Sequence, residues 1–174
     1  MSVTIRPEQH ADFDAIGDVV AAAFDSPAEA RLVRDLRASS GYRAAMTLVA
    51  DLNGVVAGHV MISIAEIQNH DGRWPVAMLS PLAVAPDHQR QGIGDALVRS
   101  ACAIADGLGE QMVLLQGNPG YYGRFGFVPS ADHGITMQLP DWAPPEAAQV
   151  LRLTAWTGTV RGRFIDPPAF DQLG

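Results

Sequence analysis

Leu82-Ala83-Val84-Ala85-Pro86-Asp87-His88-Gln89-Arg90-Gln91-Gly92-Ile93-Gly94-Asp95 is the stretch on which the architecture turns. The apolar run ending at Val84 reads as a strand, Pro86-Asp87 as a turn, and Gln89 to Gly94 as the opening of a helix. Ile93, Leu97, Ala101, Ile104 and Leu108 then recur at helical spacing and predict one long helix ending near Gly107 or Gly109. The first turn of a helix carries N–H groups with no carbonyl below them and the positive end of the dipole, so it accepts anions. Gly92 and Gly94 leave those N–H groups open to a phosphate, and Arg90 adds charge. Two glycines ahead of a helix also make an ordinary turn. The spacing is not the Gly-x-Gly-x-x-Gly dinucleotide fingerprint, since residue 97 is Leu and no acidic residue closes a following strand.

The flanking segments alternate between two periods. Val3 and Ile5 predict a short strand stopped by Pro7. Phe13, Ile16, Val19, Val20 and Ala23 predict a helix over 10–24. Ser26, Pro27 and Glu29 supply a hydroxyl cap, a first-turn proline and an early carboxylate for a second helix bearing Leu32, Val33 and Leu36. Residues 45–52 and 55–67 read as strands joined by Asn53-Gly54, a favoured pair for a tight hairpin. A polar turn precedes Trp74-Pro75, and 76–84 reads as another strand. Pro81 within it has no N–H for a ladder and marks an edge or a place where pairing breaks. Residues 112–116 predict a buried strand, 121–125 a brief helix, Phe127-Val128 a strand start, 140–145 a loop and 150–155 a late strand, with an irregular tail. The fold class is mixed α/β in a single domain over residues 1–174.

Composition narrows the chemistry. The chain has 174 residues, 48% hydrophobic and 18% charged, with a net charge of -7. All twelve basic side chains are arginine. No P-loop lysine, Schiff-base lysine or Ser-Lys dyad is available. The acidic balance argues against nucleic acid as a partner and mildly favours a cationic one. The single cysteine, Cys102, sits among Ala101, Ala103 and Ile104 and reads as a buried small residue. The five histidines, at 10, 59, 70, 88 and 133, show no metal-ligand spacing, so no metal is expected. There is no basic-then-apolar leader, and no apolar run nears the roughly 20 residues of a bilayer span. A cytoplasmic protein without membrane contact is expected.

Gln89-x-x-Gly92-x-Gly94 after an apolar strand resembles motif A of the GNAT superfamily of N-acetyltransferases, Gln/Arg-x-x-Gly-x-Gly/Ala. Asn118-Pro119-Gly120-Tyr121-Tyr122-Gly123-Arg124-Phe125-Gly126-Phe127 is similar to the family's Asn…Tyr-x-x-x-Gly-Phe segment. Gly158-Thr159-Val160 and Pro167-Pro168-Ala169-Phe170 resemble a bacterial predicted N-acetyltransferase branch. The resemblance implies a mixed central sheet of six to seven strands with one splayed strand pair and helices on both faces. It places the core at residues 3–130 and the C-terminal strands and tail, 131–174, on the acceptor side. It implies acetyl-CoA as co-substrate, with main-chain groups of Leu82, Ala83 and Val84 along the pantetheine arm. Backbone N–H groups of Arg90, Gln91, Gly92, Ile93, Gly94 and Asp95 would hold the pyrophosphate, with Gln89 of the motif counted among the cofactor-binding residues. Asn118 would contact the coenzyme, and Tyr122 would stand beside its sulfur as the proton donor to the leaving thiolate. An amine would attack the thioester carbon directly, with an N–H near Val84 polarising the carbonyl.

The base is not legible. Many relatives carry a Glu on the strand before the Asn, whereas this chain reads Val113-Leu114-Leu115-Gln116. His59, Glu66 and Asp87-His88 are the alternatives, each better explained by packing, solvation or turn formation, which leaves a water relay through Ser80 or main-chain carbonyls. The missing carboxylate lends some weight to a non-catalytic acyl-CoA sensor, and transfer of a longer acyl group is a further option. The helices over 10–39, a loop at 66–75 and the C-terminal third are expected to wall the site for a small-molecule or peptide amine. The state is expected to be monomer or homodimer.

Overall fold

The computed structural model of the chain describes residues 2–173. The chain divides into two compact units: Met1–Ser63 with Leu79–Ile104 and Pro168–Gly174, and Ile64–Met78 with Ala105–Pro167. Two long strands, β3 and β4 below, contribute residues to both.

In the first unit β1 (Val3–Pro7) pairs antiparallel with β2 (Thr47–Leu52), and β2 with the first part of β3 (Val55–Asn69). Asn53 and Gly54 join β2 to β3 with φ of 54° and 90°, the left-handed pair that a two-residue hairpin requires. The helices α1 (Phe13–Phe24) and α2 (Ala28–Arg37) follow the predicted periods. Residues 10–12, expected inside α1, form a separate 3-10 turn. Ser26 Oγ accepts the Ala28 N–H at 3.1 Å from one position before the N-cap, which is Pro27 and not Ser26. Ile16, Val19, Val20, Leu32, Val33 and Leu36 pack with Val49, Met61 and Ala83 into one core cluster, onto which Ala169 and Phe170 also fold.

A polar cluster is buried in the same unit. The Glu8 carboxylate accepts Arg37 Nε at 2.8 Å, Arg37 Nη2 at 2.9 Å and the Tyr42 hydroxyl at 2.7 Å. His59 Nε2 lies 3.2 Å from Glu8 Oε1. An ionised carboxylate only accepts, so Nε2 carries the imidazole proton. Burial alone would raise the Glu8 pKa; the bonds from Arg37, His59 and Tyr42 overcome it and hold it at about 2. Burial lowers the pKa of His59 and, with Glu8, pushes Tyr42 up to about 12.

The helix α3 (Ile93–Gly107) buries Ile93, Leu97, Val98, Ala101, Cys102 and Ala105. Leu108, counted into its apolar stripe from the sequence, is 59% exposed because the helix has already ended. Burial pushes the Cys102 thiol up to about 12.

In the second unit the start of β4 (Gly72–Val84) runs parallel to β5 (Met112–Gln116), paired at Ala77–Val113 and Met78–Leu114. The short β6 (Val128–Pro129) and β5 both pair antiparallel with β8 (Ala148–Arg152). Two strands correct the reading of the C-terminal part. The pair β7 (Ile135–Thr136) and β9 (Gly162–Ile165) run parallel, and β9 also pairs with Glu66, Ile67 and Gln68 of β3. The expected loop at 66–75 is likewise strand. Asn69 Oδ1 accepts the Asp71 N–H at 2.8 Å, closing a tight turn, so β3 runs to Asn69 and β4 starts at Gly72. The late strand lies at 148–152 rather than 150–155, after a 3-10 turn at Pro145–Ala147.

The architecture is thus mixed α/β with a mixed, open sheet. Seven strands of four or more residues are described, β6 and β7 being two residues each. Among the described residues no helix is long and apolar enough to cross a membrane.

Candidate active site

The segment from β4 to α3 lies in the first unit. Along β4, Ala83 is buried in the core cluster while Leu82 and Val84 are half-buried on the opposite side, the alternation a strand imposes. Pro81 supplies no N–H to β4, and the pairing of β4 with β5 lies before it, at Ala77 and Met78. Pro86–His88 form a 3-10 turn. Contrary to the expectation that Gln89 opens the helix, α3 begins at Ile93, and Gln89 to Gly92 form a separate exposed loop. The reason is conformational: Arg90 (φ 63°) and Gly92 (φ 84°) are both left-handed and cannot lie in an α-helix. A non-glycine residue held there costs roughly 1–3 kcal/mol, a strain that collects at functional loops. Gln89 donates its side-chain amide to the Val84 carbonyl at 3.1 Å and so ties the loop back to the strand.

This loop has the backbone of an anion site. Left-handed residues at a helix start gather main-chain N–H groups into a concave anion site. A Cβ built at Gly92 meets nothing within 4 Å, so the space beside it is open. Arg90 and Gln91 are exposed, Ile93 is buried beneath, and Gly94 and Asp95 continue the first helical turn.

Asn118 and Tyr122 lie in the second unit, immediately after β5. Asn118 caps the one-turn α4 (Pro119–Tyr122), its Oδ1 accepting the Gly120 N–H at 2.8 Å. Its carbonyl accepts the Tyr122 N–H at 3.0 Å. The half-buried Tyr122 ring packs edge-on against Tyr121 (4.9 Å, 87°) and Phe127 (5.8 Å, 72°). Tyr121 also meets Phe125 edge-on and lies under the Arg124 guanidinium at 4.7 Å, consistent with a packing role. Gln116, which has no carboxylate to offer, donates to the Gln138 carbonyl at 2.9 Å.

The alternative bases are accounted for by their surroundings. His59 is wholly buried against Glu8. Glu66 lies 3.4 Å from Arg73 at the surface. Asp87 and His88 form the 3-10 turn before the loop. Sequence reasoning missed Gly117, which lies against the Tyr122 ring at the end of β5, and Gln149 of β8, which donates to the Gly117 carbonyl; the one available signal was a lone amide in the apolar run Ala147-Ala148-Gln149-Val150. Among the described residues no group of three or more His, Cys, Asp or Glu is placed to hold a metal ion.

Comparison with known proteins bears on this arrangement. The family profile described as acetyltransferase (GNAT) domain matches residues 4–129. The uncharacterized N-acetyltransferase YhbS of Escherichia coli K12 is 34% identical over 149 residues, 86% of each chain. YjhQ of the same organism is 32% identical over 168 residues, 94% of this chain and 93% of its own. The crystal structure of E. coli YhbS in complex with CoA matches with a TM-score of 0.88 at 31% identity, covering 99% of this chain and 93% of that one. A GNAT family acetyltransferase from Brucella melitensis in complex with acetyl-CoA matches at 0.78 with 29% identity, over 98% and 99% of the two chains. With the profile spanning the strand, the left-handed loop, the helix and the Asn-to-Tyr segment, the chain belongs to the GNAT family of acetyltransferases.

Proposed function

We propose that this chain moves an acetyl group from acetyl-CoA to a primary amine by direct attack in a ternary complex. The observation that carries the reading is the loop from Gln89 to Gly92, strained at Arg90 and open at Gly92, ahead of α3. The CoA and acetyl-CoA bound by the YhbS and Brucella relatives support the same donor. Main-chain N–H groups from Arg90 to Asp95 hold the pyrophosphate, and Leu82, Ala83 and Val84 take the pantetheine arm as an added strand. Asn118 contacts the coenzyme.

The amine nitrogen attacks the thioester carbon, the C–N bond forms and the C–S bond breaks. An N–H near Val84 steadies the carbonyl oxygen, a role typically worth about 3–4 kcal/mol. Tyr122 gives its phenolic proton to the departing thiolate. Phenols titrate near 10, above thiols, so the donor is charged with its proton at neutral pH. The proton on the attacking nitrogen passes to a water relay through Ser80 or main-chain carbonyls, since β5 carries no carboxylate and His59 is enclosed. The acceptor is a small molecule or peptide amine, and the acidic chain favours a cationic one. The chain works in the cytoplasm as one catalytic domain, monomeric or dimeric. Its two compact units cannot be cut apart in sequence, because β3 and β4 contribute to both.

Thermal unfolding with acetyl-CoA, CoA and ATP tests this. A ligand at 100 times its dissociation constant adds about 2.7 kcal/mol, a shift of very roughly 5–10 °C. A shift with both coenzyme forms and none with ATP is expected; no shift with any of them overturns the reading. The rival, a sensor without turnover, draws on the missing carboxylate of β5. Replacing Tyr122 with Phe separates the two, because a sensor is indifferent to the hydroxyl, whereas the transferase loses about 100-fold in kcat.

A further inference from the structure

Tyr122 rests against a residue that has no side chain. A Cβ built on Gly117 would lie 2.5 Å from Tyr122 Cε2 and 2.9 Å from Cδ2, with Leu115 Cδ1 at 3.4 Å. Carbon atoms at ease stand about 3.5–4.0 Å apart. Gly117 is not among the glycines with positive φ, so its backbone would suit any residue. Space, and not conformation, requires glycine here.

Gly117 is itself fixed from β8 and the turn before it. Its N–H donates to the Ala147 carbonyl at 3.0 Å, and its carbonyl accepts Gln149 Nε2 at 3.1 Å. Gln149 is 1% exposed and sits opposite Leu115 in the β5–β8 ladder. A buried amide in an apolar strand is costly unless it has work to do. Here it pins the carbonyl of the residue on which the tyrosine ring leans. Tyr121, Phe125 and Phe127, from the chain on either side, also pack against the ring.

We infer that Gly117, anchored by Gln149, is a positioning residue that sets where the Tyr122 hydroxyl stands. The inference rests on the reading of Tyr122 as proton donor. A methyl group at 117 moves the ring by about 1 Å, or drags Gly117 off β8, and a misplacement of that size costs on the order of 100-fold in a proton transfer or attack. Coenzyme affinity is expected to change little by comparison, since the pyrophosphate cradle from Arg90 to Asp95 is untouched.

The test compares wild type, Gly117→Ala, Tyr122→Phe and the double variant. Hydroxylamine serves as acceptor because it is uncharged at pH 7 and needs no deprotonation before it attacks; acetohydroxamate and CoA are the products, read above the uncatalysed rate. Gly117→Ala is expected to lower kcat about 10–100-fold with the KM for acetyl-CoA little changed, and to cost nothing further in the Tyr122→Phe background. The Phe ring meets the same clash, so a loss that is merely structural lowers both backgrounds equally and overturns the inference. A Gly117→Ala enzyme as fast as wild type overturns it too. If Tyr122→Phe is itself silent, the donor reading falls first and takes the inference with it.

The geometry has its own readout, independent of turnover. The chain has three tyrosines, so their ring carbons can be followed by NMR after isotope labelling. In Gly117→Ala the Tyr122 signal is expected to move while that of Tyr42 stays; an unmoved Tyr122 overturns the placement. Should Gly117→Ala fold poorly, Gln149→Met removes the tether without adding an atom against the ring. It is expected to give the same pattern at smaller amplitude, and equal rates in Gln149→Met and wild type count against the anchor.

Discussion

Glu8 gathers hydrogen bonds from a helix, a loop and a strand, through Arg37, Tyr42 and His59. Its side chain is fully buried, so removing it leaves the Arg37 guanidinium without its partner. Glu8→Ala is expected to destabilise the fold by about 3–5 kcal/mol, read from urea unfolding. The pH dependence has a defined sign. Glu8 titrates at about 2 in the fold against 4.5 ordinarily, so its contribution is complete above pH 4.5 and fades as the pH falls toward 2. His59, whose pKa burial lowers from 6.5, adds loss in the same direction below that value. The wild-type urea midpoint should therefore fall steadily from about pH 6.5 to about 3; a flat profile would count against the cluster. At this scale the sequence shows residue types but not partners. His59 stood out as a candidate base, while the carboxylate that occupies it lies 51 positions away, just beyond Pro7. Gly117 was equally silent, because a glycine demanded by a neighbouring ring looks like any other glycine.

The strand, loop and helix from Leu82 to Gly107 were readable because local rules act on consecutive residues: an apolar run, a turn and a helical stripe. What local rules did not give was the break at Gln89 to Gly92. Arg90 carries no mark of its left-handed backbone, and only Gly92 announces one. At Gly92 the backbone and not the surroundings is restrictive, since a Cβ there meets open space. Gly92→Val should force that residue out of its φ of 84°, reshape the loop and weaken acetyl-CoA binding by about tenfold or more by calorimetry. An unchanged dissociation constant would detach the loop from coenzyme binding. The strands β7 and β9 were hidden for a different reason. They are short, and β9 forms its pairs with Glu66 to Gln68, almost a hundred residues earlier. The extension of β4 back to Gly72 depends on the Asn69 side chain closing a turn, a single bond that periodicity does not encode.

At the level of the molecule, the chain passes between its two units by way of β3, β4 and α3, so neither is a contiguous piece. Trp74, Trp142 and Trp156 all belong to the second unit, whereas α1 and α2 belong to the first. Tryptophan fluorescence thus reports the second unit, whereas far-ultraviolet dichroism reports the whole backbone and is weighted toward the helices of the first. In urea their transitions should coincide at one midpoint, as a single cooperative domain requires; separate midpoints would show two. The acceptor was not legible at this scale, because a fold shared by many transferases fixes the donor better than the substrate. The sole thiol of the chain, Cys102, is enclosed in α3 and held protonated far above neutrality. Thiolates, not thiols, attack disulfide dyes. In the native enzyme such a dye therefore counts only the coenzyme set free by each turnover, with no blank from the protein, and the arrival of one extra equivalent per chain is an alarm that the enzyme has come apart during the assay.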